Sequence, residues 1–186
     1  MKFLAIDGGT AESACLLMKD DAHEVMKVEY HAILPNDAVI RIIEEHWKLL
    51  VIEEVAHMGM PVGRDVFETV RWCGRFEQVA RSKGGDVVYI PRNRIKINLC
   101  GNARAKDPHI RQALIDRYGG NDKAIGGKKC PDCTGKGWRG RSHEPCNECN
   151  GSGWKSKKGA LYGITSHSWS ALAVAVTYLD EIRTPA

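Results

Sequence analysis

The chain has 186 residues, with 27 basic and 23 acidic side chains and a formal net charge of +4. Its 43% apolar and 27% charged composition describes a globular domain with at most a small appendage, which excludes a disordered tail. The apolar run Ala171–Val176 is far below the ~20 residues of a spanning helix, and Asp7 interrupts the apolar N-terminus. Neither a membrane partner nor a secretory leader is expected.

Phe3–Ile6 is an apolar run closed by Asp7-Gly8-Gly9, the pattern of a buried strand ending in a turn. Ala14–Met18 and Glu24–Leu34 read as second and third strands, separated by the polar turn 19–23. Ala38, Ile40, Ile42, Ile43, His46 and Trp47 then recur at near-helical spacing behind Asp37, a suitable N-cap. Leu49–Val55 reads as a buried strand interrupted by Glu53 and Glu54. Between Gly63 and Lys83, Val66, Val70, Cys73, Phe76 and Val79 make a helical stripe that Gly84-Gly85 stops. Asp86–Ile90 is a further strand, and Ile95–Leu99 either extends the sheet or leads to the next element. Pro108–Tyr118 and the Ala/Val/Leu-rich Ser168–Ile182 complete the pattern as helices. The alternation describes an α/β domain with a mixed sheet.

Charge is concentrated in residues 128–158, where eight basic side chains face only Asp132, Glu144 and Glu148, a net +5. The rest of the chain is nearly neutral, so this segment is a candidate contact surface for a polyanion. It also holds four of the seven cysteines, as Cys130-Pro-Asp-Cys133 and Cys146-Asn-Glu-Cys149. Two CxxC pairs twelve residues apart have the spacing of a tetrahedral zinc site. The segment has few apolar residues beyond Trp138 and Trp154, so zinc would supply the folding energy that a core cannot. Those two tryptophans have two readings: packing over the knuckles, or stacking on unpaired bases. Cys15, Cys73 and Cys100 lie in apolar contexts and read as core residues. The repeated CxxCxGxG-Trp unit resembles half of the zinc-binding region of DnaJ-type chaperones, although no His-Pro-Asp tripeptide accompanies it.

Asp7 ends one buried strand and Glu53 sits in another, and burying carboxylates is costly unless they are paired or bind a metal. A divalent cation between them resolves the repulsion. The pieces Leu4-Ala-Ile-Asp7-Gly-Gly, Val51-Ile-Glu53-Glu, Gly59-Met-Pro-Val-Gly-Arg64-Asp-Val-Phe-Glu, Lys96-Ile-Asn-Leu-Cys-Gly101-Asn-Ala103-Arg-Ala-Lys106 and His167-Ser-Trp-Ser170-Ala-Leu-Ala173 follow in order. In that order they resemble the RuvC-type Holliday-junction resolvases of the RNase H-like superfamily, particularly the short phage versions.

The resemblance implies an RNase H-like mixed sheet of five strands, formed by residues 1–127 and 159–186, with a zinc-binding module, 128–158, inserted before the last helix. It implies a structure-specific endodeoxyribonuclease acting on four-way junctions, forks or flaps. Two Mg²⁺ or Mn²⁺ ions would be held by Asp7, Glu53 and His167, and Lys96 and Lys106 would lie near the scissile phosphate. Arg104, Lys106, Arg139 and Arg141 are the expected DNA contacts. The family acts as homodimers, and the cytoplasm of a bacterial or phage-infected cell is the expected setting. Ser170 stands where the family carries Asp, which admits a second reading: a junction-binding protein that no longer cuts. The Asp7-Gly-Gly-Thr10 run also resembles the first phosphate loop of actin-like ATPases, which need two related domains that this length does not supply.

Overall fold

The structure is a computed structural model that describes the chain except residues 21–25, 46–47, 57–60, 140–142, 156 and 184–186. It divides into two compact units, one of residues 1–111 and 164–186 and the other of residues 112–163.

The first unit is built on five strands: β1 (Lys2–Asp7), β2 (Glu12–Lys19), β3 (Lys27–Pro35), β4 (Leu49–Glu54) and β5 (Asp86–Pro91). Their order is β3-β2-β1-β4-β5, with β2 antiparallel to both neighbours and β1, β4 and β5 parallel. This is the mixed five-stranded sheet expected, flanked by helices. β1 lies at the centre and is covered on both faces, which is why Phe3–Ile6 is a continuous apolar run rather than an alternating one.

Period-two alternation then sorts the side chains. Leu4, Ile6, Leu50 and Ile52 pack with Val39 and Ile43 of α1 (Asn36–Glu44) and with Cys73, Phe76 and Ala80 of α2 (Arg64–Ser82). Phe3, Ala5, Asp7, Val51 and Glu53 therefore face the opposite side. That side is covered by α6 (Ser168–Arg183), which packs on β1, β2 and β4 and sets Tyr178 edge-on against Phe3 at 5.3 Å. The small residues Ala171, Ala173 and Ala175 of α6 are fully buried, leaving room for the helix to lie close against the sheet.

Four local expectations change. Ile95–Leu99 belongs to a helix, α3 (Arg92–Cys100), rather than the sheet. Ile95, Ile97 and Leu99 imitate strand alternation, yet Ile95 is buried while Ile97 is 54% exposed. The first residue of α1 is Asn36, with Pro35 at the cap position and Asp37 in the first turn. The expected helical positions His46 and Trp47 lie outside the described residues. In α2 the buried stripe is Cys73, Phe76 and Ala80, while Val70 is exposed together with Phe67. Cys15 and Cys73 are core residues as expected, whereas Cys100 is only half-buried.

The second unit holds part of α4 (Asp107–Arg117), the short α5 (Asn121–Ala124) and a two-stranded ribbon of β6 (Trp138–Arg139) and β7 (Glu144–Pro145). The chain leaves and re-enters the cysteine segment side by side. Gly127 donates to the Lys157 carbonyl at 2.9 Å, and Gly159 donates to that of Ile125 at 2.8 Å.

Candidate active site and metal centre

The last β1–β4 pair is Ile6 with Ile52, so Asp7 and Glu53 follow at matching positions on adjacent parallel strands, on the face covered by α6. Both carboxylates are largely buried, with side-chain exposures of 16% and 14%. Burial raises the Asp7 carboxyl above its ordinary range, against the opposing pull of His167 and Arg92. Glu53 is pushed up to about 7 by burial and then by the neighbouring charge of Asp7. The two carboxylates thus burden each other at one end of the sheet, an arrangement that favours a cation nearby, and Arg92 is the one the structure places against Glu53.

Each acid already has a partner. His167 Nδ1 lies 3.3 Å from Asp7 Oδ2, and its imidazole is 73% exposed at the mouth of the site. Ser170, one turn further on, hydrogen-bonds Asp7. Where the resemblance would put a fourth acid, the chain thus places a hydroxyl that holds the first one. Arg92, directly after β5, donates from Nη1 to Glu53 Oε2 at 2.9 Å and also bonds Asp107. Asp107 shares the same guanidinium through Nη2 and ties the start of α4 to the site.

The loop after β1 is shaped by contacts that exclude side chains. A Cβ on Gly9 would lie 2.2 Å from the Glu12 carbonyl, and one on Gly8 would lie 2.7 Å from Cys73 Sγ. A buried polar network pins the loop. The Gly9 N–H donates to Ser13 Oγ at 3.1 Å, Ser13 donates to Asn36 Oδ1 at 2.6 Å, and Asn36 Nδ2 donates to the Gly9 carbonyl at 3.0 Å. Beside it opens a cleft of about 280 Å³, running from Asp7 and His167 past Gly8, Gly9 and Thr10 to Ile33.

The structure brings Asp7, His167 and Ser170 together and seats Glu53 on Arg92. Lys96 lies half-exposed on α3, and Arg104 and Lys106 are exposed in the turn before α4. Among the described contacts, none of the three pairs with Asp7, Glu53 or His167. Sequence reading missed Arg92, Asp107, Ser13 and Asn36. For Arg92 a signal existed, since a cation directly after a buried strand faces the ends of the strands that carry the acids.

The four cysteines form a separate centre. Their sulfurs all lie within 4.8 Å of one another and are buried, and this is the only such cluster of three or more metal-ligating residues among the described residues. Cys130 and Cys146 are 3.9 Å apart and Cys133 and Cys149 3.7 Å. A zinc ion with Zn–S bonds of ~2.3 Å sets tetrahedral edges of about 3.8 Å, whereas a disulfide needs about 2.0 Å. The geometry fits zinc.

The two knuckles repeat each other in detail. The Gly137 and Gly153 N–H groups donate to Cys133 and Cys149 sulfurs at 3.3 and 3.2 Å. Cys130 donates to the Gly153 carbonyl and Cys146 to that of Gly137, at 3.0 and 2.9 Å. The glycines are required. Both have positive φ, and a Cβ on Gly137 would strike the Gly151 carbonyl at 2.3 Å and one on Gly153 that of Gly135 at 2.5 Å. Arg139 is exposed and paired with Asp132, and Arg141 lies outside the described residues.

The chain is similar to Thermus thermophilus RuvC, with a TM-score of 0.63 at 13% identity, covering 98% of this chain and 96% of that one. The same protein in complex with Holliday junction substrate matches with a TM-score of 0.63 at 14% identity, over 98% and 95% of the two chains. The fold is that of RuvC. No protein-family model matches the chain, and no curated protein matches it by sequence.

Proposed function

We propose that this chain is a divalent-metal-dependent endodeoxyribonuclease that resolves Holliday junctions or other branched DNA. The observation that carries the reading is the placement of Asp7 and Glu53 at adjacent parallel strand ends, buried and mutually repelling, on a fold shared with RuvC. Asp7, Glu53 and His167 would hold Mg²⁺ or Mn²⁺, and carboxylate and imidazole oxygen and nitrogen donors suit such ions. When bound, the metal would activate water toward a phosphodiester and stabilise the departing 3′-oxygen.

The chain's own groups do the rest. Arg92 fixes the Glu53 carboxylate toward the sheet end, and Ser170 and His167 do the same for Asp7. His167, bonded to Asp7 through Nδ1, would present Nε2 either to the metal or, in place of that role, as a proton carrier near the phosphate. Lys96, Lys106 and Arg104 would hold neighbouring phosphates, and Arg139 and Arg141 of the cysteine segment would add contacts with zinc as its structural ion. Residues 128–158 act as the inserted module and the remainder as the nuclease. The exposed Phe67 and Val70 of α2 favour a homodimer through that helix, and a bacterial or phage-infected cytoplasm suits a DNA substrate and reduced thiols.

Two observations favour the non-cleaving alternative: Glu53 is already engaged by Arg92, and Ser170 stands where the resemblance would put an acid. Nicking of synthetic four-way junctions, forks, flaps and linear duplex in Mg²⁺ or Mn²⁺ decides between the two. Cutting of branched substrates well above linear duplex, lost in Asp7→Asn, supports the nuclease. Tight junction binding without cutting in either metal supports the binder. Equal cutting of linear duplex removes the claim of structure specificity.

A further inference from the structure

We propose that the cysteine unit carries a binding site for an unpaired stretch of DNA, in which Trp138 stacks on a nucleobase while Lys136 and Arg139 hold the adjoining phosphates. The identity of the polyanion rests on the branched-DNA reading. The site itself rests on residues 112–163.

The two knuckles share one hydrogen-bonding scheme, yet the tryptophans that end them are treated differently. Trp154 is half-buried, bridged to Lys129, and carries Lys158 Nζ 5.9 Å from its ring centre. Trp138 is 41% exposed, and its nearest ring is His143, with centroids 5.4 Å apart at 37°. A quasi-symmetric fold gives no packing reason to cover one indole and leave its counterpart in water. Trp138 lines a shallow cleft of about 670 Å³ together with Asp132, Cys133, Thr134, Lys136 and Arg139. Asp132 is ion-paired to Arg139 in that cleft.

An indole beside two cations on a small basic module matches the chemistry of single strands, because every unpaired base offers a π-face and every linkage a charge. The segment remains cationic when metallated. Four thiolates on Zn²⁺ reduce its net +5 to +3. A duplex, whose bases are stacked on one another, offers only its phosphates to this cleft. Discrimination of unpaired from paired strands follows.

The test uses the full zinc-loaded chain with Mg²⁺ omitted, and follows fluorescence anisotropy of three ligands of about 20 nucleotides. These are oligothymidylate, an abasic phosphodiester of equal length, and duplex. The wild-type protein binds oligothymidylate about tenfold more tightly than the abasic chain. Trp138→Ala removes that preference, Trp138→Phe retains most of it, and Trp154→Ala leaves it intact. Lys136→Ala weakens both single-stranded ligands alike and lowers the salt slope by about one. Equal wild-type affinity for the thymidylate and abasic chains overturns the proposal. So does a preference that survives Trp138→Ala. The wild-type comparison decides even if a tryptophan variant loses zinc. A chain that prefers bases yet nicks no junction keeps this site and loses the nuclease reading. Nicking without base preference does the reverse.

Discussion

The sheet unit and the cysteine unit solve the burial of charge in opposite ways. In the sheet unit, apolar packing comes first: Phe3–Ile6 and Leu50–Ile52 are buried by α6 and by α1 and α2, and the strand ends are dragged in with Asp7 and Glu53 attached. The acids pay with raised pKa values and borrowed partners, Arg92, His167 and Ser170. In the cysteine unit there is little apolar material to bury in residues 128–158, and the four thiols are themselves the core. On the proposed reading, a metal would be a guest in one unit and a condition of folding in the other. Loss of metal should leave the first standing and dissolve the second.

The largest effect expected is on the cysteine unit. Cys133→Ser or a strong chelator removes a binding energy of about 10–16 kcal/mol, so amide signals of the β6–β7 ribbon should collapse while those of β1 and β4 persist. Simultaneous loss of both sets would break the contrast. Next is Arg92→Ala, which leaves Glu53 as an unpaired buried acid and should cost about 3 kcal/mol in denaturant unfolding. Added Mg²⁺ or Mn²⁺ should recover part of this if the cation site is as described. Asn36→Ala removes the link between Ser13 and the Gly9 carbonyl and should cost about 1–3 kcal/mol, with slower junction nicking and unchanged zinc content.

The smallest effect sharpens the contrast through pH. Glu53 is held at about 7 against an ordinary 4.5, so between those values the folded chain binds more protons than the unfolded one. Stability of the sheet unit without divalent metal should fall as pH rises from about 4.5 through about 7, then level off. Asp7, raised in the same direction, adds to the slope. Thermal melting against pH measures it, and divalent metal should flatten the fall. Glu53→Gln should flatten it even without metal.

What was legible beforehand follows the same division. β1 and β4 announced themselves because double-sided burial makes short unbroken apolar runs, and an acid inside such a run is conspicuous. The CxxC spacing was legible because a tetrahedral ion dictates it. Ile95–Leu99 stayed open between strand and connection because alternation in a short stretch does not distinguish a strand from a helix with one buried side chain. Arg92, Asp107 and Asn36 were hidden for a different reason: their roles depend on which strand ends meet in space, and single polar residues in turns carry no period. The contrast between Trp138 and Trp154 was equally invisible, since both end the same CxxCxGxG-Trp pattern and the pattern does not say what surrounds each ring.

The central claim is that the ends of β1 and β4 hold the divalent ion. Paramagnetic broadening by Mn²⁺ of backbone amide signals in the zinc-loaded chain tests it most directly. The amides of Asp7, Gly8, Gly9, Glu53 and Glu54 should broaden first, and Asp7→Asn or Glu53→Gln should abolish this. Broadening that begins elsewhere, or that persists unchanged in both variants, would contradict it.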